Sequence, residues 1–285
     1  MTDRPADPTD DLVTGPLTYR DGLLDGQVVL VSGAGSGIGK AIAIQSARLG
    51  ARVAICGRKA EKLEATAALI RGFGGDVLVR PVSIRDPDEV GRLQAEVWQH
   101  FGRLDHLVNN AGGQFPQAAI DYSVKGWNAV IDTNLSGTWH MMQAAARAWR
   151  ERGTQGSIVN IVTVVWRGMP GVAHTCAARA GVIYLSKTVA IEWAPLGIRV
   201  NCVAPGAIGT EGMDVYSDEA RRDLPRSNLM QRFGKARDVA DAVTYLVGPS
   251  GAFVTGEVMV VDGGNQVWGD QWTIPRPGYF GGPGA

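Results

Sequence analysis

The stretch QVVLVSGAGSGIG, residues 27–39, decides the fold of this chain. It begins as a short apolar run, closes on glycines and leads into a helical segment at 40–49, with apolar residues at helical spacing. The same alternation continues along the chain. Further strands are predicted at 52–56, 76–82, 104–110, 157–162, 198–203 and 257–261, with helices at 60–71, 87–100, 127–152, 174–194 and 236–247.

Strands that alternate with helices form right-handed βαβ units, which place the strands side by side in a parallel sheet. We therefore predict an α/β fold: a doubly wound parallel sheet of the Rossmann type, with about seven strands, in a single domain. The domain is predicted to span residues 22–264, with a substrate loop at 207–232. Residues 1–21 are assigned as an N-terminal extension, and the Gly-, Pro- and aromatic-rich residues 265–285 as a C-terminal extension.

The charge balance points to a small-molecule partner. Lys and Arg total 28, as do Asp and Glu, so no net field gathers nucleic acid or an anionic membrane. Three scattered cysteines, Cys56, Cys176 and Cys202, fit a reducing compartment. No apolar run is long enough for a membrane helix, and the polar N-terminus does not resemble a signal peptide. We expect a cytoplasmic location, no nucleic-acid or membrane partner, and no metal ligands.

The glycine-rich turn after the first strand is predicted to bind a pyrophosphate. Gly33, Gly37 and Gly39 permit a tight bend and close backbone approach, and the turn also contains Ser36 and Ile38. The start of the following helix presents unpaired N–H groups and a positive dipole to an anion. A simple tight turn is the alternative. The position between strand and helix, with the spacing G-x-x-x-G-x-G, favours the dinucleotide site.

The end of the second strand indicates which dinucleotide is bound. An Asp or Glu at this point usually binds the ribose of a cofactor that lacks a 2′-phosphate. Here Gly57 occupies that position and Arg58 follows. Because a guanidinium forms paired bonds to phosphate, we predict NADP(H) as the cofactor. The alternative is that Arg58 and Lys59 form only a solvated basic start to a helix.

Further motifs, in order and spacing, resemble those of the short-chain dehydrogenase/reductase family over residues 22–264. They are SGAGSGIG at 32–39, NNAGG at 109–113, GSIVNIVT at 156–163, NCVAPGAIGT at 201–210 and VTGEVMVVDGG at 254–264. The resemblance implies additional cofactor contacts and a homotetramer. Ser83 and Ile84 would flank the adenine, Asn110, Ala111 and Gly112 would line the cofactor, and Pro205, Gly206, Ile208 and Thr210 would sit against the nicotinamide.

The same resemblance shows an unusual catalytic set. The family uses Asn, Ser, Tyr and Lys, and the matching residues here are Asn134, Thr163, Thr175 and Arg179. The spacing between the last two positions is retained, but their residue types differ. Tyr184 and Lys187 do not replace them, because Tyr184 lies nine positions from Thr175, about half a turn around the helix. We expect Tyr184 in the core or at a subunit interface, and His174 as a structural or substrate-lining residue.

These substitutions favour one kind of reduction. A threonine hydroxyl is too weak an acid to protonate an alkoxide, so ordinary ketone reduction lacks its proton donor. Reduction of a carbon–carbon double bond conjugated to a thioester mainly requires donors to the thioester oxygen, which Asn134, Thr163 and Thr175 could supply. Arg179 would hold the ribose. With HTCAARAGVIYLSKTVAIEWAPLGIRVNCVAPGAI at 174–208 and KGWNAVIDTNLSGTW at 125–139, the chain also resembles the peroxisomal trans-2-enoyl-CoA reductases. It is similar, more distantly, to 2,4-dienoyl-CoA reductases, and these resemblances imply an acyl-CoA substrate and NADPH.

Several alternatives stay open at this point. The dienoyl-CoA reductases use a tyrosine from the loop before the catalytic helix, where this chain has Val164, Val165 and Trp166. The protein could bind NADP(H) without turnover, or reduce carbonyl groups with another acid such as His174. Three arginines of the substrate loop could contact CoA phosphates or form a solvated helix face. They are Arg221, Arg222 and Arg226.

Overall fold

A computed structural model describes residues 9–267, and a parallel sheet of seven strands forms its centre. The strands are β1 Val28–Ser32, β2 Arg52–Gly57, β3 Val77–Pro81, β4 His106–Asn109, β5 Gly156–Ile161, β6 Ile198–Pro205 and β7 Val258–Val261. Their order in the sheet is β3-β2-β1-β4-β5-β6-β7. This confirms the predicted doubly wound sheet. The order reverses between β1 and β4, and such a reversal opens a crevice at the carboxyl ends of the strands.

Helices cover both faces of the sheet. They are α1 Asp10–Thr14, α2 Gly37–Arg48, α3 Ala60–Gly72, α4 Pro87–Phe101, α5 Val124–Ile131, α6 Gly137–Arg152, α7 Ala173–Trp193, α8 Asp218–Asp223 and α9 Ala236–Val247. On one face of the sheet, α2, α3 and α9 pack through core residues that include Ile42, Leu63 and Val243. Val97 of α4 and Trp149 of α6 belong to the core on the other face. Because both faces are covered, all five residues of β1 are buried.

The turn from β1 into α2 requires glycine at two positions. Gly33 and Gly37 have φ angles of 69° and 53°, a region that favours glycine. A Cβ atom at Gly33 would also lie 2.8 Å from the Cα atom of Ala111. Gly39 serves packing instead, since a Cβ atom there would lie 2.4 Å from the carbonyl oxygen of Gly33. The glycine spacing thus allows α2 to start directly beside the ends of β1 and β4.

The helix predicted at 127–152 differs from the observed structure. It starts earlier, because the Ser123 side chain accepts a hydrogen bond from the Gly126 N–H and caps α5. It is also divided by a π-helical turn, Asp132–Ser136, between α5 and α6. A π-turn contains one more residue than an α-turn and often lies at a functional site. The sequence periodicity could not reveal it, because a single wide turn barely changes the apolar pattern.

The described part of the N-terminal extension packs against the domain. Leu12 in α1 is fully buried, and Arg48 Nη1 donates hydrogen bonds to the carbonyl groups of Leu12 and Gly15 at 3.0 and 2.6 Å. Leu12 therefore belongs to the core, and Val13, Leu17 and Tyr19 pack against it. Of the predicted C-terminal extension, only residues 265–267 lie within the described range. Between residues 9 and 267, no helix combines the length and apolar character needed to cross a membrane.

Candidate active site

A cavity of about 520 Å³ lies at the carboxyl ends of the strands, where the strand order reverses. It brings together residues from eight segments that are far apart in sequence. The predicted cofactor and catalytic residues on its wall are Gly33, Ser36, Gly37, Ile38, Arg58, Ser83, Ile84, Asn110, Ala111, Gly112, Asn134, Thr163, Thr175, Arg179, Pro205, Gly206, Ile208 and Thr210. Gly39 is not on the wall, and its packing role explains why.

The start of α2 presents backbone donors to this cavity. Ser36 is the N-cap residue, and the Gly37 N–H donates a hydrogen bond to the Glu211 carboxylate at 3.1 Å. Thr210 packs against the same glycine, since a Cβ atom there would lie 3.3 Å from the Thr210 Cβ atom. A carboxylate therefore occupies the position where a helix start attracts anions. The turn fits a phosphate group, provided that Glu211 moves aside.

Cations line the cavity beyond the end of β2. Arg58, Lys59 and Lys62 lie on its wall, and all three are exposed. No Asp or Glu is among the described residues that line the cavity. This end of the cavity is consequently positive and open to solvent. A carboxylate that would select a free ribose hydroxyl is absent from its described wall.

Asn110 joins the ends of β1 and β4 beneath the cavity. Its Nδ2 donates to the carbonyl oxygens of Ser32 and Gly33, both at 3.1 Å. The N–H groups of Asn110 and Ala111 donate to the Ser32 hydroxyl, also at 3.1 Å. Asn110 therefore shapes the floor of the site through its side chain.

Asn134 lies in the π-helical turn and holds the loop that follows β4. Its Nδ2 donates to the Gly113 carbonyl at 3.0 Å, and its Oδ1 accepts from the Gly113 N–H at 2.9 Å. The backbone carbonyl of Asn134 accepts from Thr138 Oγ1 at 3.0 Å and from Arg179 Nη1 at 3.4 Å. The residue thus links the Gly113 loop to α7. The structure gives its amide a positioning contact, and its predicted role as a donor to substrate stays a prediction.

His174 and Thr175 form a buried pair at the start of α7. The Thr175 N–H donates to His174 Nδ1 at 2.7 Å, and the Thr175 hydroxyl lies 3.3 Å from the same nitrogen. The imidazole is stacked on Tyr122 and meets Phe115 edge-on, each with ring centroids 4.6 Å away. Burial lowers the pKa of His174, against the opposing effect of the Phe115 and Val172 backbone. His174 does not line this cavity, nor the smaller cavity that adjoins it near Thr163. Its contacts therefore pack the start of α7.

Arg179 is a buried cation on the cavity wall. Its side chain is only 6% exposed, and no carboxylate forms an ion pair with it within residues 9–267. Burial lowers the pKa of this guanidinium to about 10. The guanidinium of Arg179 packs closely against Gly112, because a Cβ atom on this glycine would lie 2.1 Å from Arg179 Nη2. A charge buried without a partner is costly, so hydroxyl or phosphate oxygens in the cavity would be strongly favoured neighbours.

Tyr184 and Lys187 lie outside the site, as the helical register predicts. Tyr184 is 72% exposed, and the Lys187 ammonium lies 5.4 Å from the centre of its ring. Neither residue lines a described cavity. The expectation of a core position for Tyr184 is wrong, because the residue is largely exposed, and the alternative of a subunit interface stays a prediction.

A second cavity, of about 430 Å³, adjoins the first. The two share Gln114, Thr163, Gly206 and Met213. The segment after β6 supplies part of the wall, including Tyr216, whose hydroxyl oxygen accepts a hydrogen bond from Gln114 Nε2. Sequence reasoning missed Tyr216 and Gln114. Tyr216 lies within the predicted substrate loop, but no local pattern shows which residues of that loop face inward.

Two of the three loop arginines are paired with acids. Arg221 Nη1 lies 3.1 Å from Asp214, and its other terminal nitrogen contacts Asp218. Arg226 Nη1 lies 3.8 Å from Asp223. These pairs support the solvated helix face, the second of the two interpretations given above.

Comparison with known proteins agrees with this architecture. Residues 33–266 match the family model described as enoyl-(acyl carrier protein) reductase. The chain is 36% identical over 259 residues to a probable 2,4-dienoyl-CoA reductase of Bacillus subtilis, covering 89% of this chain and all of the relative. It is 40% identical over 239 residues to a 3-oxoacyl-[acyl-carrier-protein] reductase of Staphylococcus aureus, covering 82% of this chain and 96% of that one.

A solved structure shows the same fold. The citronellol catabolism dehydrogenase of Pseudomonas aeruginosa superposes with a TM-score of 0.79 at 40% identity, covering 87% of this chain and 98% of that one. The family match and these identities extend over most of the chain, including every wall of the cavity. The chain is therefore an oxidoreductase of the short-chain dehydrogenase/reductase family, whose members bind nicotinamide cofactors.

Proposed function

We propose that this protein is an NADPH-dependent reductase of the C2=C3 bond of a trans-2-enoyl-CoA or a related acyl thioester. One observation carries the proposal: Thr175 and Arg179, which match the family's tyrosine and lysine positions in the sequence, both line the first cavity. This arrangement retains hydrogen-bond donors and a cation but removes the phenol that ketone reduction uses. Donors aimed at a thioester oxygen suit the reduction of a conjugated double bond.

The residues of the first cavity fit NADPH. Reduced NADP(H), when bound, supplies the hydride. Gly33, Ser36, Gly37 and Ile38 would hold the pyrophosphate at the start of α2, and Arg58 would bind the 2′-phosphate beside Lys59 and Lys62. The remaining contacts fall to Ser83 and Ile84 at the adenine, Asn110, Ala111 and Gly112 along the cofactor, Arg179 at the ribose, and Pro205, Gly206, Ile208 and Thr210 at the nicotinamide. The buried charge of Arg179 supports its assignment to the ribose. Hydrogen bonds from the guanidinium to ribose oxygens would offset the free-energy cost of burying this charge away from water.

The second cavity is suited to the acyl part of the substrate. It opens from the first at Thr163 and is walled by apolar and aromatic side chains that include Val164, Met169 and Leu224. Thr163 and Thr175 would direct hydroxyl groups toward the thioester oxygen, where negative charge develops. Catalysis of this kind depends on preorganised donors rather than on a strong acid at that oxygen.

Carbonyl reduction is the second candidate function. The 40% identity to a 3-oxoacyl-[acyl-carrier-protein] reductase favours it. The threonine at position 175 disfavours it, since its hydroxyl cannot protonate an alkoxide near neutral pH and carbonyl reduction would need a proton from another residue. A third possibility, binding of NADP(H) without turnover, predicts cofactor affinity and no reduction of either substrate class.

A homotetramer and a cytoplasmic location accompany the proposal. Exposed apolar side chains support the oligomer: Ile191 on α7 is 78% exposed, and Phe253, which precedes β7, is fully exposed. Exposed apolar side chains on two different elements suit two different subunit contacts. Light scattering coupled to size-exclusion chromatography would measure the assembly, and a monomer would contradict this part of the proposal.

Steady-state oxidation of NADPH tests the function. Crotonyl-CoA, trans-2-hexenoyl-CoA, 2,4-hexadienoyl-CoA and acetoacetyl-CoA would each be mixed with protein and NADPH, and parallel reactions would contain NADH. We expect turnover with the first two thioesters and a preference for NADPH. Turnover of acetoacetyl-CoA alone would support carbonyl reduction. Tight NADPH binding without any turnover would support a binding protein and contradict the proposal.

A further inference from the structure

The first cavity lacks an acidic side chain close to Thr163 and Thr175. Its described wall contains no Asp, Glu, His, Cys or Tyr, and the hydroxyl groups of Ser and Thr are too weakly acidic to serve. Lys59 and Lys62 follow β2, three strands away from β5, which Thr163 follows. Three strand spacings amount to about 14 Å, too far for direct proton transfer. A reduction in this cavity therefore needs a proton from elsewhere.

Tyr216 is the one tyrosine on the described walls of the two connected cavities. It lies between the 3₁₀ helix Glu211–Val215 and α8, half-buried, on the same cavity wall as Thr163. Its hydroxyl oxygen accepts a hydrogen bond from Gln114, which lines both cavities. Within residues 9–267 the Tyr216 hydroxyl hydrogen has no acceptor. The hydrogen bond from Gln114 thus positions the Tyr216 oxygen and leaves the hydroxyl hydrogen free to be donated to a substrate.

The surroundings of Tyr216 keep it protonated at neutral pH. Burial raises the pKa of Tyr216, and the thiol of Cys176 raises it further. Cys176 directly follows Thr175 on α7. After proton loss, the Gln114 N–H would remain on the phenolate oxygen and stabilise it. The raised pKa keeps the phenol protonated but makes it a weaker acid, and the Gln114 contact would offset part of that penalty as the proton leaves.

We infer that Tyr216 is the proton donor of this site and replaces the phenol that α7 lacks. The inference rests on the proposed function. Reduction adds a hydride from the nicotinamide cofactor at C3, and the electron pair of the double bond moves to C2 and the thioester oxygen. The O–H bond of Tyr216 then breaks as a C2–H bond forms, and water reprotonates the phenolate. The cofactor is oxidised, and the thioester gains one hydride and one proton.

The Tyr216→Phe variant tests this role. We expect kcat with crotonyl-CoA to fall by about 10²-fold or more, the usual contribution of a general acid. The affinities for NADPH and for the saturated thioester butyryl-CoA, measured by calorimetry, should change less than about threefold, since neither needs the proton. Tyr184→Phe is the matched control. It removes the same hydroxyl from an exposed position outside both cavities, and its kcat should equal that of the wild type.

A second variant tests the location without turnover. Tyr216→Trp adds bulk to the second cavity and should weaken butyryl-CoA binding about tenfold, while NADPH affinity is retained. Unchanged butyryl-CoA binding would place the acyl group elsewhere and overturn the inference.

The outcomes separate this inference from the proposed function. Wild-type turnover of crotonyl-CoA with an equally active Tyr216→Phe variant would overturn the inference and leave the function standing. Wild-type turnover of acetoacetyl-CoA alone, lost in Tyr216→Phe, would overturn the proposed function and retain Tyr216 as the acid. A wild-type protein that reduces none of the four thioesters would overturn both.

Discussion

The two ends of the cofactor cavity place their positive charge in opposite surroundings. At the β2 end, Arg58, Lys59 and Lys62 are exposed. At the α7 end, Arg179 is 6% exposed and has no carboxylate partner in the described chain, with a carbonyl contact at 3.4 Å. Exposed cations keep their hydration and cost the fold little, whereas a buried unpaired cation is held at a cost to stability. The charge at the β2 end is therefore stabilised by solvent, whereas the charge of Arg179 carries a desolvation cost.

The largest expected effect is at the β2 end. Arg58→Glu should weaken NADPH binding about 100-fold, because it removes charge-assisted bonds to the 2′-phosphate and adds a repelling carboxylate. NADH binding should change little, since that cofactor has no phosphate at this position. Fluorescence titration with both cofactors would measure the two affinities.

A matched charge reversal tests whether position matters. Arg92→Glu changes an exposed arginine of α4 that lines neither cavity, and it should leave both affinities near their wild-type values. If Arg58→Glu weakened NADH and NADPH equally, selection of the 2′-phosphate would not reside at this end of the site.

A smaller effect on binding, with an opposite effect on stability, is expected at the α7 end. Arg179→Met should weaken NADPH binding about tenfold through loss of contacts to the ribose. In the cofactor-free protein it should raise the free energy of unfolding by about 1–3 kcal/mol, because an apolar side chain removes the buried charge. Urea denaturation and cofactor titration would measure the two quantities.

Arg58→Met provides the comparison for that stability change. It removes an exposed guanidinium, so the free energy of unfolding should stay within about 0.5 kcal/mol of the wild-type value. Equal stabilisation by both substitutions, or destabilisation by Arg179→Met, would contradict the difference drawn between the two ends.

The smallest effect concerns the carboxylate at the start of α2. Glu211 accepts the Gly37 N–H at 3.1 Å and occupies the position proposed for the pyrophosphate. Glu211→Gln should tighten NADPH binding about threefold, because a competing negative charge leaves the helix N-terminus. Calorimetry at low ionic strength would detect the change. Glu219→Gln, on the exposed face of α8, should have no effect, and weaker binding by Glu211→Gln would show that this carboxylate assists the cofactor.

The wall of the first cavity and the contacts between distant segments differ in how far the sequence predicts them. The sequence predicts much of the wall of the first cavity, because Gly33 and Arg58 directly follow strand ends and Gly37 begins the next helix. Contacts between distant segments were harder. The bonds of Asn134 to Gly113 and the stacking of His174 on Tyr122 each join a helical residue to a distant loop, and no local pattern relates the two. Tyr216 was missed for the same reason, since an aromatic residue in an irregular loop carries no periodicity.

By itself, the amino-acid sequence determined the order of strands and helices, the glycine turn after β1 and the absence of a tyrosine from the cavity side of α7. These features depend on residue type and on spacing within one or two elements, which the chain displays directly. The tertiary structure alone decided that Arg179 is buried without an acidic partner and that Tyr216 shares a cavity wall with Thr163. Both features arise from packing. The dielectric surroundings of a charge and the neighbours of a loop are set only when the sheet and its helices pack together.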